Sequence, residues 1–287
     1  MNVDFAQQSA SRSPTWCPGC GNYGIWASLK GALAKLAWTP DQYMIVYGVG
    51  CSGNMADFIK CHGFHSLHGR AVPNAEGIKL ANHDLNVVCM VGDGDCYGEG
   101  GNHLIHAMRG NTDITVMVHD NRVYGLTTGQ AAPTSPHGYK SKSTPGGLIE
   151  YPVNALALAI TQGATFVAQG FAGDVPHLGA IMQEALAFKG FAIVNVLQPC
   201  VTFNKIITYQ FYRERIYKLE DDKHDPTSAE EALKRVLHQD ERIPLGILYK
   251  APRPTYQDQV AVLAKGGPLA KRSLNVPDLS HMFASYQ

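Results

Sequence analysis

A short run, Asn-Val-Val-Cys-Met-Val at positions 86–91, stops at Gly92-Asp93-Gly94-Asp95, and this junction limits what the chain can become. The run is brief, apolar and rich in β-branched residues, which reads as a buried strand. Gly92 and Gly94 let the backbone turn tightly and come close to a ligand. Asp93, between them, offers hard carboxylate oxygens at the carboxyl end of the strand. Residues 99–110 carry Leu104, Ile105 and Met108 at helical spacing and close on Gly110. A second buried strand is predicted over 114–118, running into His119-Asp120-Asn121-Arg122-Val123-Tyr124-Gly125. Strand, turn, helix and strand in this order put Asp93 and Asn121 at one edge of a parallel sheet, where open α/β sheets bind ligands. A carboxylate, an amide oxygen and the Val123 carbonyl suit a small hard cation that keeps its other positions for phosphate oxygens. The pattern predicts a magnesium–diphosphate site. The plainer alternative is an ordinary βαβ unit with Gly-rich turns.

The same grammar recurs along the chain. Residues 23–36 present Ile25, Leu29, Leu33 and Leu36 as a helical stripe, and a strand over 43–47 enters Gly48-Val49-Gly50-Cys51-Ser52-Gly53-Asn54. Cys51 then holds the place on its strand that Asp93 holds on its own. Residues 63–71 are polar and His-rich, and 72–80 read as a helix. Residues 126–147, rich in Thr, Ser, Pro and Gly, read as a long loop of the kind that serves as a lid or binding loop. A helix over 151–161, a strand over 165–168, a helix over 175–189 and a strand over 191–197 follow, the last ending in Gln198-Pro199-Cys200. This alternation predicts a doubly wound, mainly parallel α/β sheet. Beyond residue 202 the composition shifts. Residues 207–223 mix aromatics with charges, Ser228 and Glu231 form a capping box for a helix to 237, and 243–248 read as a short strand. Residues 251–287 read as an extended tail that needs a surface to lie on.

Other classes fall away on composition. The 24 basic and 24 acidic residues cancel, which gives no electrostatic case for nucleic acid or a membrane surface. No apolar run approaches the ~20 residues that span a bilayer, and the polar first residues lack a signal peptide's apolar core. A cytoplasmic protein is expected. In that compartment the seven cysteines are better read as ligands, catalytic thiols or small buried residues than as disulfides. Cys17, Cys20, Cys51 and Cys200 each sit in a turn or at a strand end beside Gly or Pro. Four thiolates suit an iron–sulfur cluster or a structural zinc. One Cys-x-x-Cys pair with two isolated cysteines fits a [4Fe–4S] cluster better than the paired motifs usual for zinc; core cysteines without metal are the alternative. Cys89 and Cys96 read as packing residues, and Cys61 has no evident partner.

Five motifs carry a resemblance: WCPGCGN at 16–22, GVGCSGN at 48–54, GFHSLHGR at 63–70, GDGDCYGEGGNH at 92–103 and DNRVYGLTTGQ at 120–130. In this order they resemble the β subunit of 2-oxoacid:ferredoxin oxidoreductases over about residues 12–205. The resemblance implies a thiamine-diphosphate-binding subunit with Mg²⁺ and one [4Fe–4S] cluster, spanning 1–205. Residues 206–287 would be an extension packing on the core and on the partner. By motif, Asp93 and Asn121 bind Mg²⁺ through side chains and Val123 through its carbonyl; Cys17, Cys20, Cys51 and Cys200 bind the cluster. Gly50, Cys51, Ser52, His68, Gly92, Gly94, Asp95, Gly125, Leu126 and Thr127 join them around the cofactor.

The implied reaction is CoA-dependent oxidative decarboxylation of a 2-oxoacid to acyl-CoA and CO₂, or its reversal, with electrons exchanged with ferredoxin. Catalysis requires an α subunit, in a heterodimer or a dimer of heterodimers, and the isolated chain is expected to be inactive. GFHSLHGR is most similar to members acting on 2-oxoglutarate, with pyruvate or a branched-chain 2-oxoacid as the alternative. Two positions depart from many members: Asn54 and Thr128 stand where a basic residue is common. Arg70, with Asn54 and Thr128, is a candidate for the substrate side. A non-redox thiamine-diphosphate decarboxylase or synthase is the competing enzyme reading, and it leaves the four cysteines without a role. A non-catalytic scaffold is the third.

Overall fold

The computed structural model describes residues 8–237, 242–273 and 278–286. The first half of the fold contains helix α1 (Asn22–Lys35), strands β1 (Tyr43–Tyr47) and β2 (His62–His65), helix α2 (Ala71–Ala81), strand β3 (Asn86–Gly92), helix α3 (Gly101–Gly110) and strand β4 (Thr115–Asp120). A two-strand ribbon, β5 (Val123–Tyr124) with β6 (Gln130–Ala131), follows. Then come α4 (Ala155–Thr161), β7 (Phe166–Phe171), α5 (Val175–Ala187), β8 (Ala192–Leu197), α6 (Tyr209–Arg213), β9 (Ile216–Lys218), α7 (Ala229–Leu237) and β10 (Ile243–Lys250).

Eight strands form one sheet in the order β2-β1-β3-β4-β8-β7-β10-β9. All neighbours are parallel except β10 against β7. The central strands are apolar along their whole length because helices cover both faces. On one face Ala71 and Val72 of α2, Leu104 and Met108 of α3, Leu156 of α4 and Val236 of α7 pack on the sheet. On the other, α1 brings Ile25, Leu29 and Leu33, and α5 brings Leu178, Ile181 and Met182.

The expected doubly wound sheet is present, with differences in detail. The His-rich stretch yields edge strand β2, whose residues are all exposed; an edge strand facing water needs no apolar alternation. The helix expected from 151 starts at Ala155, because the Asn154 side chain accepts from Ala157 N at 3.1 Å and caps it there. The Ser228 hydroxyl accepts from Glu231 N, but the Glu231 carboxylate meets Lys234 at 3.0 Å, so half of the expected capping box forms. The stretch after residue 205 supplies β9 and β10 to the same sheet. Part of the tail lies on its own chain: Asn111 Nδ2 donates to the carbonyls of Arg253 and Pro254, both at 3.1 Å, and Arg253 donates to Met108 O and Gly163 O, both at 2.9 Å. Among the described residues no helix is long and apolar enough to cross a membrane.

Four neighbouring strands, β1, β3, β4 and β8, carry the turns that matter. Cys51 and Ser52 follow β1, Asp93 follows β3, Asn121 follows β4 and Cys200 follows β8. The chain reverses direction across the sheet between β1 and β3, which opens a crevice at their carboxyl ends.

Candidate active site

One pocket in that crevice is lined by Val49, Gly50, Cys51, Ser52, His68, Gly92, Asp93, Gly94, Asp95, His119, Asn121, Val123, Tyr124, Gly125, Leu126, Thr127 and Gln198. Every residue expected around the cofactor is among them. The backbone makes the pocket in two ways. Gly50 has φ +137°, which side-chain-bearing residues avoid, and a Cβ on Gly94 would stand 2.2 Å from the Tyr124 ring. After Asp93 the chain runs into a single π-helical turn, Gly94–Glu99, before α3 begins, a distortion that often accompanies functional sites.

Asp93 is 2 % exposed. Its Oδ2 accepts from Arg122 N at 3.0 Å and from Thr134 Oγ1 at 2.5 Å. Burial, with the Asp120 carboxylate nearby, pushes its carboxyl up to about 8. A divalent cation would hold the ionised form that burial disfavours. Asn121 Oδ1 accepts from Val123 N at 3.0 Å, folding the amide back over its own turn. Ser52 Oγ and His119 Nε2 are buried with no hydrogen-bond partner in the protein, and both residues line this pocket. His119 is pushed down to about 3 by burial, so it is neutral; its Nδ1 lies 2.7 Å from Asn22 Oδ1 and donates to it. A buried carboxylate, an amide and the partnerless Ser52 hydroxyl beside glycine turns fit a magnesium-bound diphosphate, whereas His119 Nε2 is left as an acceptor that needs a donor.

Below about pH 8, a cation bound at Asp93 would have to expel a proton. Affinity for Mg²⁺–thiamine diphosphate is therefore expected to rise by roughly tenfold from pH 6.5 to 8 and then level off. Calorimetric titration across that range checks this, and a flat profile contradicts it. Without a cation the sign for folding is opposite. The folded state keeps a proton that the unfolded chain releases, so stability falls as pH climbs from the ordinary carboxylate range towards 8.

A second cavity adjoins the first. Trp16, Cys17, Cys20, Cys51, Asn54, Asn121, Gly125, Leu126, Gln198, Cys200 and Phe203 contribute to its wall. The four cysteines singled out in the sequence therefore meet in one cavity, although they come from three distant parts of the chain. A Cβ on Gly125 would stand 3.6 Å from Cys51 Sγ and 3.7 Å from Cys200 Sγ. Burial first, then the neighbouring thiols, raises Cys20 and Cys51 to about 11 each. Among the described residues no three His, Cys, Asp or Glu side chains are grouped tightly enough to hold a single metal ion. All seven cysteines are free; Cys89 and Cys96 lie in the core, and Cys61 Sγ is 3.8 Å from Tyr47 Oη.

The three candidate substrate residues do not meet. Arg70 is exposed, with Nη1 3.0 Å from His103 Nε2, and does not line the cofactor pocket. Asn54 lies in the cysteine cavity. Thr128 is exposed at φ +79°. A β-branched residue in the left-handed region is strained by about 1–3 kcal/mol. Thr128→Gly is expected to stabilise the fold by about 1 kcal/mol, read from a denaturant midpoint; a lowered midpoint contradicts it. His68 does face the pocket, with Nδ1 3.3 Å from Asp95 Oδ1 and 3.1 Å from Glu99 Oε2. Sequence reasoning did not single out His119, Tyr124, Thr134 or Gln198 as site residues. The readable signal was position: His119 and Gln198 end strands whose following turns were already suspect.

Comparison with known proteins agrees with this geometry. Residues 43–196 match the family model for the thiamine pyrophosphate enzyme C-terminal TPP binding domain, and residues 200–265 match the model for the C terminal part of the pyruvate ferredoxin oxidoreductase beta subunit. The chain is 46% identical over 257 residues to 2-oxoacid:ferredoxin oxidoreductase 1, subunit beta, of Aeropyrum pernix, covering 86% of this chain and 81% of that relative. It is 42% identical over 208 residues to 2-oxoglutarate synthase subunit KorB of Archaeoglobus fulgidus, covering 72% and 78%. A solved 2-oxoglutarate:ferredoxin oxidoreductase from Magnetococcus marinus, with 2-oxoglutarate, coenzyme A and succinyl-CoA bound, superposes with a TM-score of 0.92 at 36% identity, covering 100% of this chain and 97% of that one. The sheet, its thiamine-diphosphate-binding edge and these relatives show that this chain belongs to the β-subunit family of the 2-oxoacid:ferredoxin oxidoreductases.

Proposed function

We propose that the chain, with an α subunit, oxidatively decarboxylates 2-oxoglutarate to succinyl-CoA and CO₂ and exchanges the electrons with ferredoxin. The observation that carries this reading is the shared wall between the two cavities. Cys51, Asn121, Gly125, Leu126 and Gln198 line both, so a thiol cavity directly abuts the thiamine-diphosphate pocket. A non-redox thiamine enzyme has no use for that neighbour.

In this reading Asp93, Asn121 and the Val123 carbonyl hold Mg²⁺, and Ser52 donates its unpartnered hydroxyl to a diphosphate oxygen. When bound, thiamine diphosphate supplies a thiazolium ring that accepts the electron pair left as CO₂ departs from a 2-oxoacid. Cys17, Cys20, Cys51 and Cys200 hold one [4Fe–4S] cluster. Four thiols lining one cavity suit a cluster in which each iron takes its own cysteine. Metal charge also offsets the cost of ionising Cys20 and Cys51, whose burial otherwise keeps them protonated.

An α subunit is supported by what the site leaves open. Leu67 is exposed after β2, Leu126 within the β5–β6 ribbon, Ile149 and Tyr151 between that ribbon and α4, and Ile206 after β8. Leu126 lines both cavities, and exposed apolar residues beside a site mark a contact surface. Met282, Phe283 and Tyr286, in the 206–287 extension, are exposed as well. The assembly is a heterodimer or a pair of heterodimers, working in the cytoplasm. The similarity to 2-oxoglutarate enzymes supports this choice of substrate.

The test is activity of the anaerobically co-purified complex on 2-oxoglutarate, pyruvate and a branched-chain 2-oxoacid, with CoA and ferredoxin. The expected result is turnover with 2-oxoglutarate well above the others and none by the isolated chain. Preference for another acid overturns the substrate, and CoA-independent decarboxylation without ferredoxin reduction overturns the reaction.

A further inference from the structure

Gln198 stands in the wall between the two cavities, and its two amide atoms point to different halves of the site. It is 1 % exposed, at the end of β8. Its backbone N donates to Asp120 O at 2.9 Å, which fixes it beside the end of β4. Its Oε1 accepts from Asn121 Nδ2 at 3.2 Å, and its Nε2 donates to Cys20 Sγ at 3.3 Å.

The orientation of both amides follows from the neighbours. Asn121 Oδ1 is engaged by Val123 N at 3.0 Å, so Nδ2 is the end that faces Gln198. Gln198 must then present oxygen to Asn121 and nitrogen to the sulfur. The motif around Cys20 makes room for this. A Cβ on Gly21 would stand 2.7 Å from Gln198 Cγ, and Gly21 N donates to Pro199 O at 3.2 Å. A residue that only filled space would not need both ends of its amide engaged.

We infer that Gln198 is a positioning residue that couples the two halves of the site: one amide holds Asn121 towards the cofactor turn and gives Cys20 a hydrogen bond. The inference rests on the reading that Cys20 is a cluster ligand. Hydrogen bonds to cluster sulfurs are among the determinants of reduction potential, since a donor offsets the negative charge gained on reduction and so raises the potential. Partners that orient a metal ligand typically change metal affinity by about 10–100-fold when removed.

The experiment uses the αβ complex, purified anaerobically, with three readouts: iron per chain, cluster midpoint potential by EPR-monitored titration, and Mg²⁺–thiamine diphosphate affinity. Gln198→Met keeps length and loses both hydrogen bonds; its midpoint is expected to move to a more negative potential and its affinity to fall about tenfold. Gln198→Glu still accepts from Asn121 but puts an acidic group where the amide donor was. Its affinity is expected to stay near wild type while its midpoint again falls. Full iron with both quantities unchanged overturns the coupling, as does movement of only one of them in Gln198→Met. If Gln198→Met does not assemble, Gln198→Glu decides by its midpoint: an unmoved potential overturns the inference. Wild-type complex without iron overturns the cluster reading itself, an outcome distinct from an unmoved potential in an iron-replete variant.

Discussion

Asp93→Asn is expected to weaken Mg²⁺–thiamine diphosphate binding by more than about 100-fold, beyond the range for removing an outer partner of a metal ligand. The substitution is nearly isosteric. The Asn oxygen still accepts from Arg122 N or Thr134 Oγ1, which now meet Asp93 Oδ2, so the turn is preserved. What disappears is the charge. Because burial disfavours that charge in the free protein, its loss should leave the fold as stable or more so near pH 8. The predicted signature is therefore a pair: binding lost in calorimetry and thermal stability of the cofactor-free protein kept or raised. Retained affinity would remove Asp93 from the metal site.

Cys20→Ser is expected to bring iron from about four per chain to near zero in anaerobically purified complex. Cys61→Ser, with its sulfur against Tyr47 and outside the thiol cavity, should keep the full complement. The contrast matters because both thiols are raised to about 11 by burial. Burial alone thus fails to tell a ligand from a packing residue, and the shared cavity does. Equal iron in both variants contradicts the assignment of the cluster to Cys17, Cys20, Cys51 and Cys200.

The parts of the site legible in the sequence were those written in turn chemistry. A strand stopped by Gly92-Asp93-Gly94, a strand ending in Asn121 and a strand running into Gly48–Gly50 and Cys51 each announce a carboxyl end where a ligand can sit. Since β1, β3, β4 and β8 are neighbours, all these ends converge. That adjacency was not written locally: β8 enters between β4 and β7, a matter of long-range pairing. Elements lacking an apolar signal were missed. Strand β2 is an exposed edge, and β9 is too short to show a period. The tail was expected to need a surface to lie on, and Asn111, at the end of α3, anchors its first part through two carbonyls. Gln198 escaped notice because an amide at a strand end has no signature until its partners are known.

The four central strands also determine how long the site lasts. Asp93, Asn121, Cys51 and Cys200 hang from the most heavily paired ladders of the sheet, packed under helices on both faces. Amides in such ladders exchange with solvent only through the largest openings of the native state, whereas exposed loops open nearly freely. Hydrogen exchange at residues 88–91 and 116–119 should then be among the slowest in the chain, and fast within 140–151. The part of the site held at these strand ends would outlast motion of the outlying loops and be lost only in the largest openings of the molecule.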